Sequence, residues 1–314
     1  MAETVPPRSA AAVQGSSGSR LDGWAARIGI SRRTLIAGIV LPLLSLVAIA
    51  TTFVLAPGDQ RGLIFFSTLV ALAAGLSSTA IGVYGGVLVP GLLLLGVDAR
   101  FAAAASLFLQ VLVIPLAASS HYRMGNFSRS VATPLLIGGV IGAFIGPFFA
   151  AAMPKEWIVR LVSAMIVFVG FVVLATLHFT GLGKVRAEND VPRAKVGGIG
   201  LLAGFSSGVS GAGWGPIGVK LLILSRIDPR QAIGSSLFAR IFMAASAVVG
   251  FFVAQTAFSN ATASWWIVVP LFAGSIAPMI AGALLLSRLG RDRATIAITL
   301  LSISLALPTL IFGH

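Results

Sequence analysis

Apolar runs of about 20 residues recur along this chain, and they limit its fold more than any other feature. Residues 131–153, 157–179 and 231–257 are examples. A run of this length crosses the hydrocarbon core of a bilayer as a helix, whereas β-barrel strands are short and alternate in polarity. Only 10% of the residues are charged, against about 25% in a soluble domain. The sequence predicts an all-α polytopic membrane protein.

Composition excludes several functional classes. The chain has no cysteine, which removes disulfides, thiolate metal sites and cysteine nucleophiles. The net charge is +13, but most basic residues fall in predicted loops, where they report topology instead of a nucleic-acid partner. An enzyme in the bilayer would need a nucleophile, a base or a metal cluster there. None is evident, so we predict no catalytic activity, no metal and no cofactor.

Two glycine-rich stretches interrupt the apolar pattern. Residues 204–220 hold six glycines, three serines, a proline and a lysine, and residues 75–90 form a similar stretch. Glycine and proline together break a helix, and the freed backbone is tolerated at membrane depth only where protein or a wet cavity covers it. The apolar segments that follow, 87–97 and 217–224, are too short to span. We therefore predict broken-helix hairpins over 62–97 and 196–224, which is a sequence signature of transporter binding sites.

The two stretches belong to an internal repeat. Gly75-Leu-Ser-Ser aligns with Gly204-Phe-Ser-Ser at an offset of 129 residues. After a one-residue insertion, Asp98-Ala-Arg100 aligns with Asp228-Pro-Arg230, and Ser-Leu-Phe follows in both copies. The shared motifs at constant offset indicate a duplicated unit of about 120 residues.

Loop charge orients the two copies. With five segments in each copy and a cytoplasmic N-terminus, sixteen of the 22 basic residues fall on the inside, as the positive-inside rule requires. An odd number of segments inverts the second copy. The predicted layout is a disordered basic cytoplasmic tail (1–33), an extra transmembrane helix (34–55), repeat 1 (62–179), a cytoplasmic linker (180–195) and repeat 2 (196–313).

Two cations lie within apolar segments, Lys220 and Arg240. An intramembrane charge is costly unless it is paired, and it marks a candidate functional site. All nine carboxylates lie in the tail or at predicted loops, so the complement of these cations is an anionic substrate. Lys220 also has a simpler explanation, which is snorkelling to the interface. The repeat places Gln110, a polar residue in an apolar helix, at the position equivalent to Arg240.

Serine hydroxyls and exposed backbone amides beside the glycine clusters suit an oxyanion. Ser77 and Ser78 accompany the first cluster, and Ser206 and Ser207 the second. Other small residues have a different expected role. Gly138, Gly139, Gly142 and Gly146 are interpreted as positions of close helix packing. Asp98 and Asp228 each precede a helix and are interpreted as N-caps.

These motifs resemble those of the TauE/SafE sulfite-exporter family of membrane permeases, over roughly residues 62–313. That family has Gly-x-Gly-Gly-Gly in both copies, whereas this chain has Gly82-Val-Tyr-Gly-Gly86 and Gly211-Ala-Gly-Trp-Gly215. The bulky Tyr84 and Trp214 are expected to reshape the pocket. The resemblance implies transport of sulfite or organosulfonates, often outward across the bacterial inner membrane. The residues alone indicate a small inorganic or organic anion.

The resulting hypothesis is an alternating-access transporter in the lipid bilayer, with its site between the hairpins. Carriage of another anion, uptake instead of export, and a non-transporting scaffold stay open, as does homo-oligomer formation. The predicted substrate-binding residues are Ser77, Ser78, Gly82, Tyr84, Gly85, Gly86, Gln110, Ser206, Ser207, Gly211, Gly213, Trp214, Gly215, Lys220 and Arg240.

Overall fold

The computed structural model describes residues 32–81, 83–123, 125–176, 192–255, 264–278 and 291–313. Eleven α-helices and no strand occur within these ranges. Their bounds are α1 (Arg32–Leu55), α2 (Arg61–Ile81), α3 (Gly85–Leu94), α4 (Ala99–Arg123), α5 (Arg129–Ala152), α6 (Lys155–Thr176), α7 (Arg193–Ser210), α8 (Lys220–Leu224), α9 (Pro229–Val253), α10 (Val268–Ile276) and α11 (Arg291–Phe312).

Five stretches of helix in the described ranges are long and apolar enough to cross a membrane, and the prediction of an all-α polytopic membrane protein is confirmed. They are Gly58–Ser78, Arg129–Ala152, Lys155–Ala175, Arg230–Val253 and Thr295–Phe312. The chain divides into two compact units between Leu41 and Pro42, and all contacts discussed below lie in the second. Residues 1–31 of the predicted tail, most of the linker and Gly82 lie outside the described residues, and Arg32 and Arg33 belong to α1.

Both glycine-rich stretches interrupt a helix. The first break falls between α2 and α3, and Gly91 of α3 then packs directly on the side chain of Val70 in α2. The second follows α7, where Gly211 has a φ of 69° and a π-helical segment, Trp214–Val219, leads into α8. Gly218 lies beside Ala203, so this arm also turns back on α7. In both stretches a short arm follows the helix break and packs back on the preceding helix.

The short arms end in the same turn at equivalent positions. The amide of Val97 bonds to the carbonyl of Leu92, and the amide of Ile227 bonds to the carbonyl of Leu222, at 3.1 and 3.2 Å. This is a Schellman cap, whose C′ residue takes a left-handed conformation. That residue is Gly96 (φ 76°) in the first arm and Arg226 (φ 65°) in the second.

The helices that follow start with the same N-cap, as predicted. Asp98 Oδ1 accepts from the amides of Arg100 and Phe101 at 2.9 and 3.3 Å. Asp228 Oδ1 accepts from the amides of Arg230 and Gln231 at 2.9 and 3.2 Å. The carboxylates satisfy amides that have no partner inside the helix. Both aspartates are therefore explained by local structure.

The glycines of α5 pack against the backbone of α7. A Cβ on Gly138 or Gly142 would overlap the carbonyl oxygen of Gly197 or Leu201, respectively. From the other side, a Cβ on Gly204 would overlap the carbonyl oxygen of Gly139. Small residues at every fourth position let two membrane helices approach this closely. The sequence interpretation of the α5 glycines as packing positions is confirmed.

Further helix pairs build the rest of the core. Helix α9 packs on α5 and on α4, α6 packs on α11, and α2 packs on α10. Ser163 of α6 and Thr309 of α11 share a buried hydrogen bond of 2.7 Å. Arg100 donates to the carbonyls of Ala150, Ala151 and Met153 and so closes the C-terminal end of α5.

The Schellman turns yield a reciprocal prediction. Gly96→Ala should lower the free energy of unfolding by about 1 kcal/mol, because a Cβ meets no atom there and the cost is left-handed strain alone. Arg226→Gly should raise it by a similar amount, because glycine adopts this conformation without a Cβ penalty. Thermal unfolding in detergent measures both. Equal midpoints for the two variants would contradict the assignment.

The α5–α7 contact yields a second prediction. Gly204→Ala should destabilise the protein by about 1–3 kcal/mol, because its methyl group would meet the backbone of Gly139. Gly198→Ala on the same helix is the matched control, since no atom lies within 4 Å of its Cβ position. The thermal midpoint should fall for the first variant and not for the second. A stable Gly204→Ala protein would argue against backbone contact.

Candidate functional site

The two helix breaks touch each other. A Cβ on Gly85, the first residue of α3, would overlap the carbonyl oxygen of Gly211 and lie 2.9 Å from the Cα of Ala212. Only glycine allows backbone to approach backbone this closely. The same Gly211 packs on the backbone of α4. A Cβ on Gly211 would lie 2.7 Å from the Cα of Ala103. The structure thus brings the first and second glycine clusters together.

The carbonyl oxygen of Gly211 is the centre of a buried polar network. It follows the last turn of α7 and has no helical partner, so other donors must satisfy it. Ser106 Oγ donates to it at 3.0 Å and Gln110 Nε2 at 3.1 Å. Both side chains come from α4, and both are buried. Helix α4 therefore fixes the second break through two hydrogen bonds.

Gln110 also binds Arg240, its counterpart in the repeat alignment. Arg240 Nε donates to Gln110 Oε1 at 2.8 Å. A guanidinium has donors only, so the amide oxygen of Gln110 must face it and the amide nitrogen must face Gly211. Arg240 is 5% exposed. The structure places the predicted cation, its predicted polar counterpart and the second glycine cluster in one connected network.

The carboxylates of the described residues occupy helix starts and connectors. Asp98 and Asp228 cap helices, and Glu156 lies in the first turn of α6. Asp59 lies in the connector before α2. No group of three or more potential metal ligands occurs in the described part of the chain.

A small cavity of about 20 Å³ lies beside the touching hairpins. Its walls come from both breaks and from α6 and α11. Two of the predicted glycines, Gly86 and Gly213, and one predicted serine, Ser206, line it. The full lining is Val83, Gly86, Met165, Ile166, Val169, Gly170, Val173, Ser206, Ser210, Ala212, Gly213, Thr299 and Ser302. Gln110 and Arg240 are not part of it.

The two bulky residues of the glycine motifs are absent from this lining as well. Tyr84 is buried, and its hydroxyl shares a 2.7 Å hydrogen bond with Ser275 Oγ of α10. Trp214 is 1% exposed and packs against Gly139 of α5 and Met243 of α9. Its indole N–H has no hydrogen-bond partner among the described residues. Each ring thus fills space between helices instead of narrowing the cavity.

The remaining predicted site residues are not part of the cavity lining. Ser77 Oγ donates to the carbonyl of Ala73 at 2.6 Å. Ser78 is half-buried and Ser207 is buried. Lys220 is half-buried at the start of α8, and Gly215 lies in the π-helical segment. Gly82 lies outside the described residues.

Four polar residues of this region were missing from the predicted site. Ser210, Thr299 and Ser302 line the cavity, and Ser106 binds Gly211 from α4. Ser106 and Ser210 had a signal, because the first belongs to the repeated Ser-Leu-Phe motif and the second to the glycine-rich stretch. Thr299 and Ser302 had none, since α11 lies far beyond the second glycine cluster in the sequence and carries no repeated motif.

The sequence is similar to a known protein family and to two named membrane transporter proteins. The family described as "Sulfite exporter TauE/SafE" matches residues 67–308. A Bacillus subtilis protein named "Probable membrane transporter protein YtnM" is 28% identical over 220 residues, covering 69% of this chain and 72% of its own. A Haemophilus influenzae "Probable membrane transporter protein" is 28% identical over 201 residues, covering 60% and 74%.

No solved structure gives a significant match. The family match covers both helix breaks, the α4–α9 pair and most of the α6–α11 pair, so it includes the Gly211 network and the cavity. The chain belongs to the sulfite exporter TauE/SafE family of membrane transporters.

Proposed function

We propose that this protein carries small sulfur-containing anions, sulfite or an organosulfonate, outward across the bacterial inner membrane by alternating access. The observation that carries the proposal is the buried Arg240–Gln110 contact, which joins a cation in the middle of an apolar helix to the second helix break. A buried positive charge beside open backbone favours an anion as cargo.

The proposal includes two inverted repeats related by an axis through the bundle. Support comes from the paired turns and N-caps at a constant offset of 130. The contact between Gln110 and Arg240 has the same offset. Two equivalent residues can touch each other only close to the axis that relates them. Alternating exposure of a site on that axis requires the two repeats to exchange roles.

The proposed orientation has a cytoplasmic N-terminus. Helices α5 and α7 run parallel, because Gly138 packs on Gly197 and Gly146 on Gly208. Arg129 and Arg193, which start these helices, therefore lie at one end of the bundle. Gly234 near the start of α9 packs on Asn126, which brings Arg230 to the same end. This gathering of positive charge supports the cytoplasmic assignment.

Three alternative functions are separated by one transport experiment. Another small anion would use the same network, and uptake would use the same alternating geometry. A non-transporting scaffold would bind a partner without moving solute. Counterflow in proteoliposomes separates these functions, because only a carrier exchanges labelled anion against an excess of unlabelled anion on the other side.

Arg240 is the first residue to test. Arg240→Gln should lower the rate of sulfite counterflow at least tenfold, because a hydrogen bond to a charged group contributes about 1.5–3 kcal/mol. Arg240→Lys should retain part of the rate, since it keeps the charge and loses the bond geometry. Initial rates in proteoliposomes measure both.

The matched control is Arg230→Gln, which makes the same chemical change at an exposed position of the same helix. It should transport like the parent. Full transport by Arg240→Gln, with an unchanged thermal midpoint, would overturn the central role of this residue. Absence of counterflow by the parent with every anion tested would overturn the carrier function itself.

The absence of cysteine allows a clean test of orientation. Ala194→Cys at the exposed start of α7 should react with a membrane-impermeant maleimide only from the cytoplasmic side. Gly58→Cys should react only from the opposite side, and its Cβ meets no atom within 4 Å. Labelling of intact cells and of inverted vesicles distinguishes the sides. The reverse pattern would invert the proposed topology.

A further inference from the structure

Among the described residues, the cavity at the two helix breaks has one buried side-chain polar atom without a hydrogen-bond partner. Ser206 Oγ is buried and has no hydrogen-bond partner among the described residues. An unmet buried hydroxyl costs about 1–3 kcal/mol. That cost is recovered when a ligand or a water molecule enters and accepts the bond. Ser206 therefore marks the cavity as a place that something else completes.

The second polar wall comes from α11. Thr299 and Ser302 both line the cavity, and both are buried. Ser302 Oγ already donates to the carbonyl of Ile298 at 3.0 Å, and Ser210 Oγ donates to that of Ser206 at 2.7 Å. Their protons are thus engaged within their own helices. Ser206 and Thr299 remain as the donors best placed to meet a ligand.

The part of the lining that comes from α6 is apolar. Helix α6 contributes Ile166, Val169, Gly170 and Val173, together with Met165. A Cβ on Gly170 would lie 2.6 Å from Cγ1 of Ile303 in α11. The missing side chain therefore lets α6 and α11 pack closely, which keeps the cavity narrow. The two final helices of the proposed repeats therefore present different chemistry to the same space, hydroxyls from α11 and hydrocarbon from α6.

We propose that Ser206 and Thr299 donate hydrogen bonds to the oxygen atoms of the transported anion, while the α6 wall contacts the organic group of an organosulfonate. This inference rests on the proposed function and adds two points to it. The ligand is a small oxyanion held in one orientation, and its direct contacts are neutral hydroxyls. Arg240 lies outside the cavity lining and contributes a positive potential instead of forming an ion pair in the cavity.

The present dimensions describe a constricted site. A cavity of about 20 Å³ admits roughly one water molecule. Sulfite is larger than water, so binding must widen the space between the hairpin tips and the α6–α11 pair. Gly86 and Gly213 border the cavity at these tips, where a small separation of backbone segments enlarges it.

The polar wall is tested with Thr299→Val, which removes the hydroxyl and keeps the shape. The matched control is Thr309→Val, on the same helix, which removes a buried hydroxyl that Ser163 binds outside the cavity. Calorimetry in detergent with sulfite and with methanesulfonate measures affinity. Thr299→Val should weaken both anions about tenfold, the equivalent of one hydrogen bond to a charged group, and the control should match the parent.

The apolar wall is tested with Val169→Thr, which adds a hydroxyl at nearly constant volume. It should weaken methanesulfonate about tenfold relative to sulfite, because the methyl group would then press on a polar atom. An unchanged ratio of the two affinities overturns the proposed orientation. Equal affinities for Thr299→Val and Thr309→Val overturn the polar wall and leave a site for water only.

These measurements separate a failure of the cavity assignment from a failure of the proposed function. If the parent binds and exchanges sulfite, Arg240→Gln does not, and Thr299→Val behaves like its control, then the transport function stands and the cavity assignment falls. If the parent binds and exchanges no sulfur anion, the proposed function and this inference fall together.

Discussion

The structure depends on the contact between two stretches of backbone, Gly85 at the start of α3 and the carbonyl of Gly211 after α7. The Gly211 carbonyl has no helical partner at the break, so it must be covered by protein. Ser106 and Gln110 satisfy it, and the missing side chain of Gly85 makes room for it. A side chain at position 85 would push the two helix breaks apart.

This contact explains why polar residues gather where they do. Gln110 has one oxygen and one amino group, and it uses the first for Arg240 and the second for Ser106 and Gly211. A single side chain thus links a buried cation to the backbone of the second break. In a low dielectric such a chain of hydrogen bonds is strong when complete and costly when broken. A ligand that attracts Arg240 would therefore act on the hairpin as well.

Two glycine roles that look alike in the sequence are separate in the structure. The α5 glycines meet the backbone of α7 and allow two long helices to pack closely. The glycines at the breaks border the cavity or the Gly211 network. The first group builds the scaffold that holds the second. Stability and transport should therefore respond differently to substitutions in the two groups.

The sequence by itself determined the membrane class, the two broken helices and the duplicated motifs, and it singled out Gln110 and Arg240 as equivalent positions, because these follow from apolar length, helix-breaking residues and polar groups in apolar helices. Only the tertiary structure decided which groups share a cavity. Thr299 and Ser302 reach it from α11, and Tyr84 and Trp214 turn away from it toward Ser275 and Gly139. The direction of a side chain depends on the helices packed around it, and in this chain those helices come from distant parts of the sequence.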